Sequence, residues 1–315
     1  MTTRGIDGVS ASAEMAELRR PMDPERVRLA CGRPQRWEIR TVSATGSTND
    51  DLTAEMAAPG SGIRMRGPAR DGLGPDPVLV SEEQTSGRGR SGRHWACPAG
   101  AGLMFSIGVR VPEVPPWRRG WIGAALGVAI VRAFRRIDPP GRQTGTDGWN
   151  GAASSLKWPN DVLVGGRKCG GILAEMTGDA VVVGAGMNVS VQSEELPRPD
   201  ATSLFLAGAC SVDRNLLLAA VLDEFGPRMD RWRAAAGNVD GSGLRAEYLE
   251  LCSTVGSYVR VELPGGQAVA GLAVDVDAEG AIVVDRGPGG RSRYSAGDVV
   301  HLRPDPTPGS PQPVG

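Results

Sequence analysis

Apolar and polar positions follow two rhythms along this chain. From Trp117 to Ile137 (WRRGWIGAALGVAIVRAFRRI) apolar residues recur at helical spacing, and arginines gather at the end, where cations suit the helix dipole. NLLLAAVLDEFGPRMDRWRAA and LRAEYLELC keep the same period, and STNDDLTAEMAA places Ser and Thr ahead of an acidic first turn, a helix start. Short apolar runs predict strands at PVLVSEEQT, GLMFSIGVRV, LKWPNDVLV, CGGILAEM and DAVVVGAGMNVSV. After Thr254 the texture changes to short strands parted by glycine turns: SYVRVEL, AVAGLAVDVDAEGAIVVD and YSAGDVVHL. That spacing predicts a small β-barrel of about 50 residues. Residues 1–35, polar and broken by Pro and Gly, predict a poorly ordered lead-in, and the proline-rich 304–315 a disordered tail. Residues 59–77 and 139–154 read as surface loops.

Composition narrows the picture mostly by exclusion. The 315 residues suffice for one large domain and a small one, and a formal net charge of -1 gives no basic excess for nucleic acid. Five scattered cysteines include no CxxC pair, and His94 and His301 are the only histidines, which argues against a disulfide framework, a zinc ribbon or a His-rich metal site. The N-terminus lacks the apolar core of a signal peptide, and no apolar run reaches the length of a membrane span. The expectation is a cytoplasmic protein.

The charged residues then single out one stretch. Of 35 basic residues only two are lysine, Lys157 and Lys168, both within LKWPNDVLVGGRKCGG. A compact ammonium and a planar guanidinium are not interchangeable where a point charge must be placed, so this stretch is the first candidate for chemistry. In it, Trp158–Pro159 sets an extended or turning backbone beside the amide and carboxylate of Asn160 and Asp161, and Lys168 precedes two glycines that permit close approach to a ligand. The second candidate is SEEQTSGRGRSGRHW, where glycines 87, 89 and 92 alternate with arginines 88, 90 and 93. Glycines let backbone N–H groups approach an anion, and arginines give charge-assisted hydrogen bonds to phosphate or carboxylate. The loop lacks the Gly-Lys-[Ser/Thr] ending of a P-loop. GAGMNV, ending near Asn188, is a third and weaker piece.

In their order, STND, EEQTSGRGRSGRHW, KWPNDVLVGGRKCGGILAE and GAGMNV resemble the biotin protein ligases, from about Trp37 to about Arg303. The resemblance implies an α+β fold: a mixed sheet with helices on one side, like the class II aminoacyl-tRNA synthetases, over residues 36–253, then an SH3-like barrel over 254–303. It implies activation of biotin with ATP to biotinyl-5′-AMP, and transfer to one lysine of a carboxylase carrier domain. By motif match Ser47, Thr48, Asn49, Gln84, Arg88, Gly89, Arg90 and Lys168 resemble the biotin contacts. Arg93, Trp95, Lys157, Asn160 and Asn188 resemble nucleotide contacts. Lys168, Arg88 and Arg90 are the implied catalytic residues, with Mg²⁺ carried by ATP rather than held by a metal site. No base for the transfer step is legible, and His94 reads as a loop residue. Family members that repress transcription carry an N-terminal DNA-binding domain, and nothing comparable precedes Trp37, so neither DNA nor membrane is an expected partner. The competing readings are a lipoate or octanoyl ligase on the same fold, a biotin-responsive repressor, and an RNA-binding module.

Overall fold

The computed structural model describes residues 15–58, 74–137, 154–209 and 211–301. The expected tail at 304–315 and nearly all of the loops at 59–77 and 139–154 lie outside these residues. Seven strands form the larger sheet in the order β1-β2-β3-β7-β6-β5-β4. These are β1 (Trp37–Val42), β2 (Asp76–Ser81), β3 (Gly102–Arg110), β4 (Ser154–Lys157), β5 (Asp161–Val164), β6 (Arg167–Thr177) and β7 (Ala180–Asn188). Only β1 and β2 run parallel; the other ladders are antiparallel, which makes the sheet mixed.

Helix α1 (Pro24–Ala30) precedes the sheet, and α2 (Thr48–Ala57) makes the crossover between the two parallel strands. Then come α3 (Trp121–Ile137), α4 (Arg214–Ala234) and α5 (Leu244–Leu251). Helices α3 and α4 share the main core with Val181, Val183 and Ala185 of β7. The alternate residues Ala180 and Val182 point the other way and meet Leu52 and Met56 of α2 in a separate cluster. Helices therefore cover both faces, not one as the resemblance implies.

Two readings of the sequence are corrected. Part of the supposed lead-in is ordered: Asp23 caps α1 by accepting from Glu25 N, and Met22, Val27 and Cys31 are buried in the main core. Arg214 of α4 reinforces this by donating to Arg20 O at 2.6 Å. The run LKWPNDVLV, expected as one strand, is a hairpin of β4 and β5, with Trp158, Pro159 and Asn160 in its turn. Strand β1 and the short β11 below are additions to the elements expected.

The C-terminal strands are β8 (Tyr258–Glu262), β9 (Ala268–Val276), β10 (Ile282–Asp285), β11 (Arg291–Tyr294) and β12 (Asp298–His301), ordered β11-β10-β9-β8-β12. The outer strands β11 and β12 share no ladder, so among the described residues the unit is an antiparallel sheet and not a closed barrel. Buried indoles fasten it to the larger domain: Trp121 Nε1 donates to Ala278 O at 2.8 Å and Trp158 Nε1 to Gly280 O at 3.0 Å.

Candidate active site

The loop after β1, the start of α2, the Gly/Arg loop after β2, the β4–β5 turn and strand β12 enclose a cavity of about 750 Å³. Every site residue drawn from the sequence lines it: Ser47, Thr48, Asn49, Gln84, Arg88, Gly89, Arg90, Arg93, Trp95, Lys157, Asn160, Lys168 and Asn188.

One end is a buried polar row. Ser47 caps α2 by accepting from Asp50 N at 3.4 Å, and Ser47, Thr48 and Asn49 are all buried. Thr48 N donates to Gln84 Oε1 at 2.8 Å, and the Thr48 hydroxyl lies 2.8 Å from that of Ser106. Ser106 Oγ donates to Asn49 Oδ1 at 2.6 Å, while Asn49 Nδ2 donates to Leu173 O at 3.2 Å and Glu175 Oε2 at 2.8 Å. Such a row presents fixed donors and acceptors to a neutral polar ring. Gly184 makes room for it, since a Cβ there would stand 2.1 Å from Asn49 Oδ1.

The Gly/Arg loop is folded over the opening. Gly89 N donates to Arg93 O at 2.7 Å and Trp95 N to Gly87 O at 2.8 Å, closing the loop on itself. Arg88 pairs with Asp50 and with Glu175, the latter at 2.8 Å. Arg93 pairs with Asp298 of β12, and Arg90 reaches Asn160 Oδ1 and Gly297 O, each at 3.5 Å. Burial and the neighbouring charge of Arg93 lower the pKa of Arg90. Trp95 lies against the bare backbone of Gly186, and its indole N–H finds no hydrogen-bond partner among the described residues.

The cations stand at the other end. Lys168 Nζ donates to Asp161 Oδ1 at 2.5 Å, and both side chains are largely buried. Lys168 N donates to Asp200 O at 2.9 Å and Thr202 N to Lys168 O at 2.8 Å, which fixes its backbone. Burial lowers the pKa of Lys157, against the opposing pull of Asp161. Asn160 Nδ2 donates to Ile172 O at 2.7 Å and Asn188 Nδ2 to Thr202 O at 3.0 Å, so both amides brace the strands they face.

Sequence reasoning placed Asp161 in the first candidate stretch without giving it a role, and missed Asp298 and His301 as parts of this site. Asp161 had a signal, its place beside Asn160 in KWPND, while the two C-terminal residues had none. His301 Nε2 lies 3.2 Å from Thr254 Oγ1, which accepts from Trp158 N at 2.9 Å. Burial, and secondarily the charge of Lys157, lower the His301 pKa, which favours the neutral ring in the folded protein. The unfolded chain takes up that proton near the ordinary histidine value of about 6.5. The stability His301 contributes is therefore complete above about pH 6.5 and lost as pH falls through its lowered native value. Thermal unfolding from pH 7.5 to about 5.5 should show a smaller decline in His301→Gln than in the wild type; parallel declines would remove His301 as a source of the pH dependence.

Comparison with known proteins gives the family. The Biotin/lipoate A/B protein ligase family matches residues 73–191, and the Biotin protein ligase C terminal domain matches residues 254–302. The biotin--[acetyl-CoA-carboxylase] ligase of Mycobacterium tuberculosis is 43% identical over 289 residues, 91% of this chain and 98% of that one. The enzyme of the same name from Paracoccus denitrificans is 31% identical, over 72% of this chain and 91% of its own. The biotin protein ligase of Aquifex aeolicus in complex with biotin and ATP superposes with a TM-score of 0.61 at 22% identity, covering 84% of this chain and 99% of that chain, a likeness of fold. The chain belongs to the biotin protein ligase family.

Proposed function

We propose that this protein activates biotin with ATP to biotinyl-5′-AMP, releasing pyrophosphate, and then passes the biotinyl group to one lysine of a carboxylase's biotin carrier domain. The observation that carries the reading is the arrangement of the cavity: a buried polar row at one end, Lys168 and Lys157 at the other, and an arginine loop folded over both. Thr48, Asn49 and Gln84 suit the ureido ring. In the first step a carboxylate oxygen attacks the α-phosphorus and pyrophosphate leaves, so two anions must meet. The ammonium of Lys168, held ready by Asp161, screens that approach and the charge that develops, with Arg88 and Arg90 supplying the rest. Trp95 flanks the adenine, and Lys157, Asn160, Arg93 and Asn188 face the nucleotide.

Among the described residues no group of three or more His, Cys, Asp or Glu side chains is placed to hold a metal ion. Magnesium enters the proposal as part of the ATP complex. The mixed anhydride is destroyed by water, so a loop closed over it protects the intermediate. The C-terminal match supports the biotin branch over the lipoate branch of the family. No helix among the described residues is long and apolar enough to cross a membrane. The proposal puts the protein in the cytoplasm, where the carboxylases it would modify are made.

The test is the intact mass of an unmodified carrier domain incubated with the protein, Mg-ATP and biotin, with lipoate or octanoate in parallel. A mass gain with biotin alone, dependent on ATP, is the expected result. A gain with lipoate or octanoate instead, repeated on a lipoyl-type carrier, would move the protein to the other branch. No gain on either carrier would remove the activity.

A further inference from the structure

Glu175 lies on β6 behind the cavity wall, where it touches both the polar row and the arginine loop. Its Oε2 accepts from Asn49 Nδ2 at 2.8 Å and from Arg88 Nη2 at 3.0 Å, and its Oε1 accepts from Arg88 Nη2 at 2.8 Å. An ionised carboxylate only accepts, so the Asn49 amide must turn its NH₂ toward Glu175. Both Asn49 N–H groups are then spent, on Glu175 and on Leu173 O, and Oδ1 is left to accept from Ser106 Oγ. With its hydrogen so committed, Ser106 can only accept across its 2.8 Å contact with Thr48, so the single Thr48 hydroxyl hydrogen goes to Ser106 rather than to Gln84 Oε1 at 3.1 Å; independently, the Thr48 backbone N–H donates to Gln84 Oε1 at 2.8 Å. Gln84, oriented by that backbone N–H, turns its NH₂ group toward Gly87 of the arginine loop. The donor and acceptor directions of the Asn49 amide and of the Ser106 and Thr48 hydroxyls agree with one carboxylate that does not itself line the cavity.

We infer that Glu175 is a positioning residue for the biotin end of the site. It sets the hydrogen-bond polarity of the row from the Asn49 amide through the Ser106 hydroxyl to the Thr48 hydroxyl, and through the same carboxylate it docks Arg88 over that row. The inference rests on the reading that biotin occupies this end.

Biotin-dependent pyrophosphate release at saturating ATP tests it, in wild type, Glu175→Gln and Glu175→Asp. The isosteric amide can face Asn49 either way and carries no charge for Arg88. Loss of a hydrogen bond to a charged group predicts a rise in biotin KM of about tenfold or more for E175Q, with kcat within about threefold of wild type and E175D between the two. A second readout needs no substrate: in the empty protein, trypsin should cut after Arg88 and Arg90 faster in E175Q, at an unchanged global unfolding midpoint. Should E175Q fail to fold, E175D carries both measurements, with a biotin KM rise between about twofold and tenfold as the expected result. A biotin KM within about twofold of wild type, or a fall in kcat with KM unchanged, would overturn the inference. A wild-type protein that releases no pyrophosphate with biotin would overturn the functional reading instead, so the two failures are told apart.

Discussion

Lys168→Arg should lower biotinyl-5′-AMP formation by about 100-fold or more while leaving the thermal midpoint nearly unchanged. The magnitude is that of removing one preorganised group aimed at charge developing in a transition state, about 3 kcal/mol. Charge is conserved in the substitution, so the loss comes from shape. Lys168 Nζ sits 2.5 Å from Asp161 and would lie 3.8 Å from a Cβ at Gly171, a slot sized for an ammonium. A guanidinium is wider, flat and longer, and the backbone cannot draw back to make room. The bonds from Lys168 N to Asp200 O and from Thr202 N to Lys168 O hold it on both sides. Pyrophosphate release with biotin and Mg-ATP measures the rate, and thermal unfolding measures the fold. Activation at the wild-type rate would end the case for lysine as a shape requirement.

The second large effect is expected at Gly186. A Cβ there would fall 2.4 Å from Trp95 Nε1 and 2.5 Å from its Cε2, well inside contact distance. Trp95 cannot slide away freely, since its backbone N–H is bonded to Gly87 O at 2.8 Å and its ring passes within 3.7 Å of where a Cβ at Gly171 would stand. Gly186→Ala should therefore tilt the indole out of place at an overpacking cost of about 1–3 kcal/mol. If Trp95 flanks the adenine, the ATP KM rises by about tenfold or more, with a smaller change for biotin. Gly184→Ala, two residues back on the same face of β7, is the natural comparison. Its Cβ would meet Asn49 Oδ1 at 2.1 Å, so its effect should fall on biotin instead. Steady-state kinetics with each substrate varied in turn decides it. The same pattern in both variants would mean the two ends of the cavity are not separable as drawn.

Much of this site was legible because its chemistry is packed into contiguous stretches. STND, GRGRSGR and KWPND with Lys168 each bring several polar groups to one loop or turn, and the sheet then gathers the loops. What stayed hidden was pairing across the chain. Nothing near Arg93 announces Asp298, and nothing near Arg88 announces Glu175, because those contacts are made by strand order and not by spacing. The fold shows the same division. The long apolar periods of α3 and α4 were plain, whereas α1 buries only Val27 of its own residues and has no stripe to read. Its start was nonetheless written in Asp23–Pro24–Glu25, a cap, a first-turn proline and an acidic residue. The LKWPNDVLV run misled for the opposite reason, since its apolar residues continue through a turn that Pro159 makes.

The location of both lysines inside the cavity also bears on the protein's own covalent integrity. The acyl phosphate formed in the proposed reaction is an acylating agent, and a primary amine is what it modifies. Arginine, which stays protonated and delocalised, is inert to it. By carrying the rest of its basic charge as arginine, the chain offers its activated product no lysine outside the site. An escaping acyl group thus meets a surface of guanidinium groups, and self-labelling of side chains is confined to the cavity where the label was made.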